Sequence, residues 1–235
     1  MIKIDNVEVF GFEAAIRGMR NPMNSWDNSD SYYGCAEEGY CVGCFNDCEL
    51  VNQLFRIGDN DLELMHKLCN AGADHRKFMR MINVTMDITA PLYWWKEYDT
   101  YKVGTVANSC STMHKISEKE FTLDDFSHEH LTRKSTEALE NLINVLNLYR
   151  NLYVEETKGS KNGYVTNNAL KNAKDFWWQM IQLLPSSYNQ KRTVQLNYET
   201  IFNMITSREN HKLDEWVRFC EICADNLPYF KDITY

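Results

Sequence analysis

Between Ile82 and Ile88 the chain alternates without a slip, with Ile82, Val84, Met86 and Ile88 apolar and Asn83, Thr85 and Asp87 polar. Successive side chains of an extended strand point to opposite faces, so a period this strict specifies a half-buried strand and therefore a sheet with something packed on it. The alternation stops at Thr89-Ala90-Pro91. A threonine can cap a helix, and a proline has φ already set and no N–H to lose, so a helix is predicted to begin there. Trp94, Trp95, Tyr98 and Tyr101 would form its apolar stripe, with Lys96, Glu97, Thr100 and Lys102 on another side. The run GTVANSCST that follows Lys102 is rich in glycine and short hydroxyl or amide side chains, which predicts a hydrogen-bonding loop.

The rest of the chain reads mostly as helix. Ile2, Ile4, Val7 and Val9 suggest an opening strand, Phe12 to Arg17 a short helix, and the stretch from Arg20 to Trp26 a turn-rich connection. Helical spacing marks Asp61 to Ala71, Thr136 to Tyr153, Asn168 to Leu183, Tyr198 to Ser207 and Leu213 to Leu227. A short strand is expected from Thr193 to Leu196, which would place Asn197 at a helix N-cap and Asn203 near the buried stripe of that helix. The fold class is accordingly α+β, an antiparallel sheet with long helices packed on it.

With 235 residues, 44% of them hydrophobic, the expectation is one domain over 1–235 carrying a cysteine-rich insertion at about 30–50. A net charge of −8 argues against a nucleic-acid surface. No apolar run approaches a membrane span, and the start MIKIDNVEVF lacks a basic segment followed by an apolar one, so a cytoplasmic chain with reduced thiols is expected. In the insertion, Cys35, Cys41, Cys44 and Cys48 admit two readings: a tetrahedral zinc site stapling a loop too poor in apolar residues to hold itself, or a surface insertion with free cysteines. Cys220 and Cys223 share a helical stripe and read as buried thiols.

Two segments of the chain carry a resemblance. From His75 through the strand to Ala90-Pro91 and on to Thr100-Tyr101-Lys102, the order is similar to the core of the flavin-dependent thymidylate synthases. Their pattern has a flavin-contacting histidine, an Ala-Pro helix start and a signature R-H-R-x-x-S-x-N-x-x-S-x-R-Y. Lys102 alone keeps the charge of that triplet, Thr105 stands for the first serine, Asn108 and Ser111 match after one insertion, and Met113-His114 replace Arg-Tyr. Glu97 stands where the family has a glutamine that touches the pyrimidine. In the second segment, Leu184-Pro185 is followed without a gap by Asn197, Asn203 and Arg208 at the family's two asparagines and arginine, while Ile181 replaces an arginine.

What the resemblance implies is reductive methylation of dUMP with methylenetetrahydrofolate as carbon donor and FAD, reduced by NADPH, as hydride source, in a homotetramer with sites between subunits. On that reading His75, Lys102, Asn108, Asn197 and Asn203 bear on the flavin, and Lys96, Lys102, Ser111 and Arg208 on the nucleotide, with Ser111 and Arg208 closest to the chemistry. The alternative is a catalytically degenerate homologue that keeps the scaffold and binds flavin or nucleotide for regulation. Each lost arginine removes charge-assisted bonds of roughly 1.5–3 kcal/mol, so the departures weigh on nucleotide affinity.

Overall fold

The structure is a computed structural model, and residues 1–34, 54–158 and 167–235 are described. Cys35, Cys41, Cys44 and Cys48 lie outside the described residues; among those described, no three His, Cys, Asp or Glu side chains are grouped to hold a metal ion. No described helix is long and apolar enough to cross a membrane.

The alternating stretch is the middle of the molecule. Strand β4 (Asn83–Pro91) runs antiparallel between β1 (Lys3–Phe10) and β6 (Asn189–Asn197), and β5 (Val106–Ser109) closes the order β1-β4-β6-β5. Val84, Met86, Ile88 and Ala90 are buried on one face, while Thr85 and Asp87 point to the other. β2 (Tyr32–Gly34) and β3 (Leu54–Arg56) form a separate two-stranded ribbon.

Helices α1 (Phe12–Arg20), α2 (Asp59–Asn70), α3 (Leu92–Tyr98), α7 (Tyr198–Arg208), α8 (Asp214–Asn226) and α9 (Phe230–Thr234) contribute to the main core with the buried face of the sheet. Its centre is aromatic: Trp94 lies 4.9 Å from Trp95, 5.3 Å from Tyr98 and 4.7 Å from Trp216, ring centre to ring centre. A second cluster joins α5 (Arg133–Lys158) and α6 (Asn167–Leu183) to Ile116, Phe121 and Phe126, just past the short helix α4 (Thr112–Lys115). Cys220 and Cys223 are buried as expected, and burial pushes the Cys220 thiol up to about 12.

Three boundaries differ from the sequence reading. Thr89 does not cap a helix; it pairs with Lys3 and Lys191 inside the ladder, and α3 starts only after Pro91. The free amides of Leu92 and Tyr93 instead donate to the carbonyls of Tyr188 and Ser186, each at 3.0 Å, so a neighbouring turn does the work of a cap. The predicted GTVANSCST loop contains β5, an edge strand exposed along its whole length and held by the ladder to β6. The strand expected over 193–196 extends back to Asn189.

Arg20, in a stretch that reads as a plain connection, is buried against Asp61 on α2. Asp61 Oδ1 accepts from Arg20 Nε at 2.6 Å, and Oδ2 accepts from the hydroxyls of Ser29 and Ser31, each at 2.6 Å. The neighbouring Asp30 carboxylate accepts from the amides of Asn60 and Asp61 at the start of α2. One buried carboxylate thus folds the 20–31 segment back onto α2.

Candidate functional site

Strand β6 ends at Asn197, where the chain turns into α7. Asn197 Oδ1 accepts from the Thr200 amide at 3.0 Å and from the Thr200 hydroxyl at 3.1 Å, so this side chain caps the helix. The loop after α3 rests on that cap. Gly104 has a φ of +74°, and a Cβ on it would stand 2.8 Å from Asn197 Nδ2 and 2.9 Å from Thr200 Oγ1. Glycine satisfies both the left-handed backbone and the close approach. Gly104→Ala is expected to lift the loop and destabilise the chain by about 1–3 kcal/mol, read as a lower urea midpoint; an unchanged midpoint would mean that the loop does not rest there.

Asn203 faces outward. The buried stripe of α7 is Ile201, Met204 and Ile205, and the exposed Asn203 lies on the opposite side, which corrects the placement expected from the sequence. An outward amide leaves its donors and acceptor to solvent or a ligand. One flank of this face is the 3₁₀ turn Arg76–Arg80: Arg80 pairs with Glu199, Arg76 Nε lies 3.8 Å from the same carboxylate, and the Arg76 guanidinium sits 4.8 Å over the Phe202 ring. His75 precedes that turn and is exposed. The other flank is the Gly104 loop with the exposed Lys102.

At the far end of α7, Arg208 is held inside the chain. Its Nη1 donates to Glu97 Oε2 at 2.7 Å, its Nε donates to the Tyr101 hydroxyl at 3.0 Å, and its guanidinium lies 5.1 Å over the Trp216 ring. Trp216 Nε1 donates to the same Glu97 Oε2 at 3.2 Å. The Leu213 amide lies 3.2 Å from His211 Nδ1, and His211 Nε2 lies 2.8 Å from Arg208 Nη1 and 3.3 Å from Glu97 Oε2. Lys96, next to Glu97 on α3, is exposed.

Asn108 and Ser111 stand elsewhere. Asn108 is an exposed residue of β5 opposite Thr193, and the Cys110 amide donates to the Lys191 carbonyl, so Ser111 lies level with the first half of β6. Lys191 and Asn197 are six steps apart along the strand, about 20 Å at the usual rise. Ser111 Oγ accepts from the His114 amide at 3.2 Å and opens onto a cavity of about 300 Å³ bordered by Lys115, Lys119, Gln190 and Lys191. Lys191 is paired across the sheet with Asp87 at 2.8 Å; hydrogen bonds from Lys191, Thr193 and Asn6 hold the Asp87 carboxyl well below the usual carboxylate range. Within one chain, therefore, α7 gathers Asn197, Asn203 and Arg208 with His75 and Lys102 along its flanks, while Asn108 stands at the middle of β6 and Ser111 beyond it towards the other end of the sheet. A larger cleft of about 640 Å³, between α1 and the β2–β3 ribbon, is lined by none of these residues.

These elements define an α+β protein whose antiparallel sheet carries its candidate site on one helix and the loops beside it. The fold is that of the flavin-dependent thymidylate synthases. The sequence matches no protein-family model and no curated protein. Thymidylate synthase X from Helicobacter pylori, in a crystal structure with FAD and dUMP, matches with a TM-score of 0.61 over 100% of this chain and 97% of that one, at 14% identity. Another crystal structure of the flavin-dependent enzyme ThyX from that organism, complexed with FAD and dUMP, matches with a TM-score of 0.61 over 98% of each chain at 15% identity. At such identity the likeness is one of fold.

Proposed function

We propose that this chain is an FAD-dependent thymidylate synthase-like enzyme, acting on dUMP with methylenetetrahydrofolate as carbon donor and NADPH as reductant. The observation that supports the reading most is the end-to-end fold match to proteins crystallised with FAD and dUMP. The donor set suits an anionic, planar cofactor: His75, Lys77, Lys102 and Asn203 are exposed, and their side chains make no bond among the described residues. FAD would supply the hydride. The residues would hold and orient it: His75, Lys102 and Asn203 against the ring and phosphates, Asn197 by fixing the start of α7, and Asn108 from β5. Lys96, Lys102, Ser111 and Arg208 would take the nucleotide. The separation of Ser111 from α7 within one chain is accounted for by a homotetramer in which two copies complete each site, as in the family the sequence resembles.

The pairing of Arg208 with Glu97 favours a second reading, a homologue that binds flavin or nucleotide without turnover. Titration with FAD tests both: the shifted flavin absorbance of a bound ring is expected, with His75→Ala and Asn203→Ala each weakening uptake by about tenfold, the equivalent of one charge-assisted bond. No spectral shift at saturating FAD removes the enzyme reading and the flavin-binding form of the second. Tritium release from labelled dUMP, in the presence of folate and reductant, separates enzyme from binding protein.

A further inference from the structure

The cleft of about 640 Å³ between α1 and the β2–β3 ribbon is walled by aromatic rings. Trp26, Tyr32 and Tyr33 are 48%, 56% and 54% exposed, and all three line it together with Phe55. Rings exposed singly are common, but several sharing one concave wall mark a surface built for contact. Two of them are pinned. The Trp26 N–H donates to Asn21 Oδ1 at 2.9 Å, and the Tyr33 hydroxyl donates to Glu13 Oε2 at 2.7 Å, with the Tyr33 ring edge-on to Phe55 at 5.2 Å. Rings fixed in advance lose little freedom when a ligand settles on them, and their faces carry the negative end of the aromatic quadrupole, which attracts positive charge. The charges nearby have the same sense. Arg20 is spent on Asp61 and the Ser25 carbonyl, Glu13 stands in the cleft wall, and the exposed Asp27 follows Trp26. Arg17 is the one lining cation not taken up by a buried carboxylate; its Nη1 lies 3.9 Å from Glu13 Oε1, and its exposed side chain is free to turn to water.

We propose that this cleft is a second binding site, separate from the residues gathered on α7, for a small organic cation of the alkylammonium class, held by the faces of Trp26, Tyr32 and Tyr33 with Glu13 as its counter-charge. A cavity of this volume takes a ligand of metabolite size. The cation lies against the ring faces. Glu13 gives one oxygen to the Tyr33 hydroxyl and pairs with the ligand through the other, in exchange for its loose contact with Arg17. Bracing the ribbon against α1 is a structural duty the same contacts would perform; it predicts lost stability on mutation but no preference between a cation and an uncharged molecule of the same shape.

The test is calorimetric titration of the full chain, with choline as the probe and dimethylbutanol, in which carbon replaces the quaternary nitrogen, as its uncharged isostere. Choline is expected to bind at least about tenfold more tightly than the isostere, the worth of a cation on aromatic faces beside a carboxylate. Trp26→Ala and Glu13→Gln, the second keeping an acceptor for Tyr33, are each expected to weaken choline binding about fivefold. Arg17→Met is expected to tighten it about twofold, as a competing surface charge is removed. Equal binding of choline and isostere, no binding of either, no effect of Glu13→Gln, or weaker choline binding in Arg17→Met overturns the proposal. Binding to phosphatidylcholine vesicles without uptake of free choline gives the rings to a lipid headgroup and overturns it too. The wild-type comparison of choline with its isostere stands even where a variant does not fold. FAD uptake, read separately by absorbance, is expected to be the same in all three variants, so this site and the proposed function stand or fall independently.

Discussion

Replacing Asp61 with alanine is expected to destabilise the protein by about 3–5 kcal/mol, the usual consequence of leaving one member of a buried ion pair without the other. Arg20 is 4% exposed and Asp61 is fully buried, so the lost carboxylate leaves a guanidinium with little access to water. The loss does not stop at the ion pair. The same Asp61 oxygen that receives the Ser29 and Ser31 hydroxyls also lies 3.3 Å from the Asp30 amide and 3.2 Å from the Ser31 amide. A double variant with Arg20→Met and Asp61→Leu, which removes both charges, is therefore expected to recover only part of the stability, because four donors keep no acceptor. Urea unfolding followed by circular dichroism measures each variant; full recovery in the double variant would mean that the ion pair alone mattered.

The same carboxylate sets a pH dependence. Burial pushes the Asp61 carboxyl up, but bonds from Ser29, Ser31 and Arg20 outweigh it and leave it below its ordinary 3.8. A group whose folded value is depressed contributes stability that is present above the unfolded value and lost as pH falls through the folded one. The urea midpoint is thus expected to decline below about pH 4, and to decline less steeply in Asp61→Asn.

How far the sequence revealed this molecule depends on whether a residue's partner was near in the chain. β4 was legible because one face is buried and the other is not, so burial itself writes the alternation. β5 was not, because it is exposed on both faces and exists only through the backbone of β6. The start of α3 was misread since Thr89 is claimed by strands on both sides, a tertiary fact that local capping preference cannot show. Asn203 was misplaced for a simpler reason: Met204, adjacent to it, fills the stripe between Ile201 and Ile205. The resemblance led to α7 and to the Asn197 cap, yet the partners that define Arg20 and Arg208 lie far off, 41 positions between Arg20 and Asp61 and 111 between Glu97 and Arg208. No local periodicity connects such pairs.

Trp216→Ala is expected to lose about 3–5 kcal/mol of stability, as for other large core aromatics cut to alanine. Trp216 is fully buried, with its ring centre 4.7 Å from Trp94 and 5.7 Å from Phe219, so its removal opens a cavity in the most densely aromatic part of the core. It is also the residue through which the core reaches the candidate site, since its N–H fixes Glu97 and its ring carries Arg208. Trp216→Phe separates these duties. It keeps an aromatic face under the guanidinium but has no donor for Glu97, so it should cost about 1–2 kcal/mol, the worth of a lost bond to a charged group and a modest packing defect. Calorimetric or urea unfolding decides the order: if Phe is as damaging as Ala, the indole N–H outweighs the packing, and if Ala costs less than about 1 kcal/mol, the aromatic cluster is not what holds α8 against α3.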